Sequence, residues 1–129
     1  MLNYDTLIVD VCKQFSKVKE LYNEELKKDS IDMDSGVHTF FSFCFVPVLK
    51  SGIINSDNKL IREMFDYIEK MENSEDDNVG EVADFTILEE LLDEFGLSKI
   101  EQYMGVNTKK AAKLINRYII KWITLTYIC

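Results

Sequence analysis

The chain has 129 residues, a length that suits one domain built around one hydrophobic core. Hydrophobic residues at 47% and charged residues at 29% exclude a disordered chain, and one Pro with five Gly disfavours a many-turned β fold. The formal charge of −8 is unevenly placed: residues 63–101 hold fourteen Asp/Glu against two Lys, whereas residues 103–129 hold five Lys/Arg and no acid.

The first predicted element runs from Tyr4 to Lys28. Tyr4, Ile8, Val11, Phe15, Val18 and Tyr22 alternate steps of four and three, which places them on one stripe of a single helix. Polar residues from Lys27 to Gly36 end it. The second segment, Val37 to Lys50, is apolar nearly all round, with Phe40, Phe41, Phe43, Cys44, Phe45, Val46, Val48 and Leu49. Its period also suits a buried strand, and its β-branched and aromatic content favours one. Pro47 argues against a central strand because it removes a ladder donor. A central helix bent near Phe43 is the expectation, with the four aromatics in the core.

Asn55, Ser56 and Asp57 offer caps for a helix over Asn58 to Glu72 that buries Leu60, Ile61, Met64, Phe65, Ile68 and Met71. An acidic loop, Asn73 to Gly80, leads to a helix from about Glu81 to Phe95, with Phe85, Leu88, Leu91, Leu92 and Phe95 on one side. Gly96 supplies its C-terminal cap. A short helix over Ser98 to Met104 ends at Gly105. Asn107 and Thr108 offer N-caps for a last helix burying Ala111, Leu114, Ile115, Tyr118, Ile119 and Trp122. Lys109, Lys110, Lys113, Arg117 and Lys121 share about one third of its circumference at 100° per residue. The expectation is an all-α fold: one domain over 1–129, a bundle or short stack of five to six helices.

Cys12, Cys44 and Cys129 are scattered and odd in number, which disfavours a disulfide framework and suits a reducing cytoplasm. The N-terminus has no basic region before an apolar run, so it does not read as a signal peptide. Phe40–Leu49 is about half the length a bilayer needs. The stretch from Ala111 to Cys129 is long enough, but Lys113, Asn116, Arg117 and Lys121 interrupt it. No membrane association is expected.

The candidate partner-binding residues are Glu72, Glu75, Asp76, Asp77, Glu81, Asp84, Glu89, Glu90, Asp93 and Glu94. Such a density of like charge opposes folding, by a few tenths of a kcal/mol per close pair. A cationic partner surface offsets that repulsion; a plain solvated face is the competing reading. A concentrated acidic surface attracts basic partners and repels nucleic acid. The basic stripe of the last helix reads as a solvated or internally neutralising face, since the overall −8 opposes binding to RNA or anionic lipid.

No motif carries chemistry. A calcium loop begun at Glu75 has Asp77 third and Gly80 sixth, but Val79 fifth and Thr86 twelfth. His38 is the single histidine, with no second His or Cys at ligand spacing, and reads as capping or packing. Cys12 and Cys44 lie in apolar surroundings that raise a thiol pKa. Gly80, Gly96 and Gly105 are isolated, so there is no phosphate loop. No catalytic residue, metal or cofactor is expected.

Several stretches carry a resemblance: His-Thr-Phe-Phe (38–41), Val-Pro-Val-Leu (46–49), Met-Phe-Asp-Tyr-Ile-Glu-Lys-Met (64–71), an acidic turn, Glu-Glu-Leu-Leu-Asp-Glu (89–94) and Tyr-Met-Gly (103–105). Together they resemble small acidic all-helical bacterial proteins of the toxin-immunity type. The resemblance implies a cytoplasmic protein that binds a toxin domain and blocks it. Carboxylates that mimic phosphate suit the basic surface of a nuclease toxin, and Tyr67 or Phe95 would add anchoring if partly exposed. The alternative is a helical adaptor or homo-oligomer in which the acidic region of one chain meets the basic helix of another.

Overall fold

The computed structural model describes residues 2–128, with side-chain environments through Lys121. It is all-α: 82% helical, with seven helices and no strand among the described residues. These are α1 (Leu7–Gln14), α2 (Ser16–Lys27), α3 (Val37–Ile54), α4 (Asn58–Glu72), α5 (77–95), α6 (Leu97–Ile100) and α7 (Val106–Ile128).

The N-terminal segment is two helices, not the single one expected. Phe15 leaves helical geometry at φ −123° and ψ 98°, ending α1 and opening α2. Neither Gly nor Pro marks the break. Its cause is tertiary: the Phe15 ring packs edge-on against both Phe45 and Tyr67, with centroids 6.0 and 5.6 Å away. Such aromatic contacts outweigh one turn of helical propensity.

Helix α3 is the axis of the core, packed by α1, α2, α4 and α5. By length and composition it could cross a bilayer, but 56% of it is buried inside the domain. At Phe41–Phe45 it widens into a π turn, in which the Val46 N–H donates to the Phe41 carbonyl. Pro47, without an N–H, follows directly, so the widened turn falls where the α-helical ladder loses a donor. Phe40, Phe41, Cys44 and Phe45 point into the core. Phe43 does not; it is 48% exposed, correcting the expectation that all four aromatics are core.

Asp57 caps α4 as expected, its carboxylate accepting from the Leu60 N–H at 3.3 Å. Helix α5 starts earlier than expected, at Asp77, with Asp76 as its N-cap. It too contains a π turn, over Val82–Leu88. That turn absorbs one surplus residue, so Val79, Val82 and Ala83 stay on the core together with Ile87, Leu88, Leu91 and Leu92. Phe85, expected on the buried side, is swung outward and is 64% exposed. Gly96 ends α5 at φ +80°, as its cap role requires.

Helix α7 packs on α4 and α5 through Thr108, Ala112 and the partly buried Ile115 and Ile119. Leu114 and Tyr118, expected to be buried, are 66% and 73% exposed. Trp122 lies beyond the side chains described and Cys129 outside the described residues. The first turn of α7 is capped not by Asn107 or Thr108 but by Glu69 from α4. Its carboxylate accepts from the backbone N–H groups of Thr108 and Asn107 at 2.8 and 3.2 Å, and from the Thr108 hydroxyl at 2.7 Å. A Cβ on Gly105 would lie 2.5 Å from Glu69 Cδ, so only glycine leaves room for this contact.

Candidate functional site: an acidic–aromatic groove

The ten predicted acids separate into three groups. Glu72 and Asp84 are not surface charges. They face one another between α4 and α5, where burial, the hydrogen bond with Asp84 and the neighbouring negative charges push Glu72 up to about 9. Burial raises Asp84 as well, while its bond with Glu72 pulls it back down. Glu72 therefore keeps its proton at neutral pH. Asp84 Oδ1 is buried with no hydrogen-bond partner among the described residues, and a protonated Glu72 spares it a second negative charge nearby. Asp76 is structural too: it caps α5 through the Asn78 N–H and accepts from the Tyr4 N–H at 2.8 Å, tying the N-terminus to the bundle.

Glu90 and Glu94, one turn apart on α5, converge on Lys50 of α3 at 2.9 and 3.1 Å. Burial alone would lower Lys50, but these two hydrogen-bonded carboxylates outweigh it and hold the ammonium charged. No local pattern announces this pairing across forty residues. The remaining five, Glu75, Asp77, Glu81, Glu89 and Asp93, are exposed, and none makes an ion pair among the described residues.

Glu89, Glu90 and Asp93 form one side of a groove of about 780 Å³ between the start of α3, the π turn of α5, and α7. The other walls carry Phe43, Phe85 and Tyr118, the exposed rings displaced from their expected core positions. At one end His38 Nδ1 lies 2.6 Å from the Thr86 hydroxyl, fixing α3 to the π turn. Sequence reasoning missed Phe43, Phe85 and Tyr118 as site residues because it assigned all three to the core. An unbroken 100° period hides a π turn, and no residue type announces one.

Of the two anchors suggested for the acidic surface, Tyr67 lies in the core and Phe95 is partly exposed. Tyr67 is 1% exposed, and its hydroxyl donates to Asp10 at 2.7 Å. Phe95 is half-buried, with the Lys99 ammonium over its ring at 5.3 Å. Lys110, Lys113, Arg117 and Lys121 are exposed on the side of α7 facing away from the core. Burial pushes the Cys44 thiol up to about 12, with Glu25 and Cys12 adding to the shift, so it is unreactive as a thiolate. Among the described residues no group of three His, Cys, Asp or Glu side chains could hold a metal.

The described residues thus form an all-helical domain with a groove that combines carboxylates and exposed aromatic rings. Over residues 8–119 the chain matches, and belongs to, the family described as Domain of unknown function (DUF7674). The matched span includes every groove residue. No curated protein and no solved structure matches the chain.

Proposed function

We propose that this is a non-catalytic binding protein that takes a basic protein partner on the solvent face of α5 and the adjoining groove. The observation that carries the reading is the conjunction of exposed, unpaired Glu81, Glu89 and Asp93 with exposed Phe43, Phe85 and Tyr118. Uncompensated carboxylates steer a cationic protein and raise its association rate, and exposed rings supply the apolar contact that holds it. The finer reading is an immunity-type inhibitor acting in the cytoplasm on a basic toxin domain. Its support is the resemblance of the 38–41, 64–71 and 89–94 stretches.

The test is to ask whether a neighbouring reading frame encodes a secreted protein with a variable C-terminal domain and, where it does, to purify that domain and titrate the two proteins. Tight binding that weakens with salt, and that falls about tenfold or more on E81Q/E89Q/D93N, is expected from losing three steering charges. Affinity unchanged by that triple substitution rejects the reading.

A second reading has its own observation. Lys110, Lys113 and Arg117 flank exposed Leu114 on α7, and this stripe is complementary in charge to the groove of another copy. Salt-sensitive dimerisation in sedimentation equilibrium would favour a homo-oligomeric adaptor.

A further inference from the structure

The groove has features that a generally acidic surface lacks. Three rings, Phe43, Phe85 and Tyr118, stand 48%, 64% and 73% exposed around one concavity, and Glu89 and Asp93 on its rim pair with no cation among the described residues. Glu90, also on the rim, is held by Lys50. Elsewhere the fold places its own cations over aromatic faces: Arg62 over Tyr103 at 6.0 Å and Lys99 over Phe95 at 5.3 Å. The groove rings have no such cation among the described residues. Aromatic faces attract a cation through their quadrupole, and a carboxylate beside them fixes its charge.

Resting on the proposed binding of a basic partner, we propose that the groove is the seat for an arginine-bearing segment of that partner. The guanidinium stacks on Phe43, Phe85 or Tyr118 and donates to Glu89 and Asp93. Arginine fits better than lysine because its planar fork both stacks on rings and pairs with a carboxylate through two parallel hydrogen bonds. The volume of about 780 Å³ exceeds one side chain, so neighbouring apolar residues of the segment enter with it. His38 and Thr86, bonded to each other at 2.6 Å, also line the groove and offer polar contacts to the segment.

The experiment uses the full chain and three peptides, fluoresceinyl-Gly-Leu-Arg-Leu-Leu-Arg-Gly-amide labelled at its N-terminus and its lysine and citrulline forms, read by anisotropy and by NMR shifts of the groove rings. Citrulline keeps the shape of arginine and removes the charge. The arginine peptide is expected to bind about tenfold more tightly than the citrulline peptide and several-fold more tightly than the lysine peptide, with the advantage shrinking in high salt. F85A and E89Q/D93N should each weaken it about fivefold or more. Phe85, Glu89 and Asp93 are exposed, so these variants keep the wild-type melting temperature, which is measured alongside.

Equal affinity for the citrulline peptide would reduce the groove to an apolar patch and overturn the proposal. Arginine-peptide binding that F85A leaves unchanged would place the site elsewhere and overturn it too. A wild-type dimer that R117E abolishes and that excludes the peptide would assign the groove to a second copy. Failure of the seat is separable from failure of the basic-partner reading: a whole partner domain that still loses affinity on E81Q/E89Q/D93N but not on F43A/F85A keeps the reading and rejects the seat.

Discussion

Glu69 holds the start of α7 in place of a local cap, and removing it should be among the most damaging single changes near the surface. Its carboxylate accepts from the Thr108 N–H, the Thr108 hydroxyl and the Asn107 N–H at 2.8, 2.7 and 3.2 Å. Thr108 is fully buried, so its donors have no water to turn to when the carboxylate goes. Loss of a helix cap costs about 0.5–2 kcal/mol, and an orphaned buried donor adds about 1–3 kcal/mol; with Glu69 partly exposed, E69A should lose about 2–3 kcal/mol. For a domain of this size that is a fall in Tm of roughly 6–10 °C.

Gly105 makes the test specific. A Cβ there would meet Glu69 Cδ at 2.5 Å, and Glu69 can yield only by abandoning its bonds to Thr108 and Asn107. G105A should therefore destabilise on its own, yet add little once Glu69 is alanine. In a double-mutant cycle by urea denaturation the coupling should be about 1 kcal/mol or more, with E69A/G105A far less damaging than the sum of its parts. The pH dependence is a second readout. Burial raises Glu69, but the bonds from Thr108, Asn107 and Asn73 outweigh it and hold the carboxyl below its ordinary value. A depressed folded-state pKa gives stability that is present above the unfolded value and is lost as pH falls through the folded one. E69Q should thus narrow its deficit against wild type below about pH 4. Strictly additive substitutions, or an E69A cost under about 0.5 kcal/mol, would refute the capping argument.

The proton retained by Glu72 predicts the opposite pH slope. Glu72 is raised to about 9, so the folded chain keeps a proton that the unfolded chain releases first, and stability falls as pH climbs from the ordinary carboxylate range toward 9. E72Q, which imitates the protonated form, should flatten that decline by about 1–2 kcal/mol between pH 5 and 9, given solvent screening of a partly buried group; parallel wild-type and variant curves would reject the raised Glu72. Y67F removes the hydroxyl that donates to Asp10 at 2.7 Å, and chemical denaturation should register a loss of about 1–2 kcal/mol. K50M leaves Glu90 and Glu94 facing each other one turn apart; Tm should fall, and should recover in part with added salt if repulsion is the cause.

The helices and most of the core were legible because amphipathic spacing reports directly on which face is buried, and α4 follows that spacing closely from Ile61 to Met71. The errors fall where phase changes or where a partner is distant in sequence. At Phe15 the break comes from rings on α3 and α4, which no local signal anticipates. In α5 the π turn shifts the phase by one residue, and that shift alone moves Phe85 from the expected core to the groove. The charge count had the same limit. Of ten acids read as one surface, Glu72 and Asp84 are drawn in between helices with Glu72 protonated, Asp76 is a cap, and Glu90 with Glu94 holds Lys50. The fold thus uses half of the acidic run for its own stability. What is left, Glu75, Asp77, Glu81, Glu89 and Asp93, is a smaller charge than the sequence suggests. Two of these five, Glu89 and Asp93, stand beside the rings that the π turn and α7 expose, and this conjunction, more than the size of the net charge, gives the groove its character.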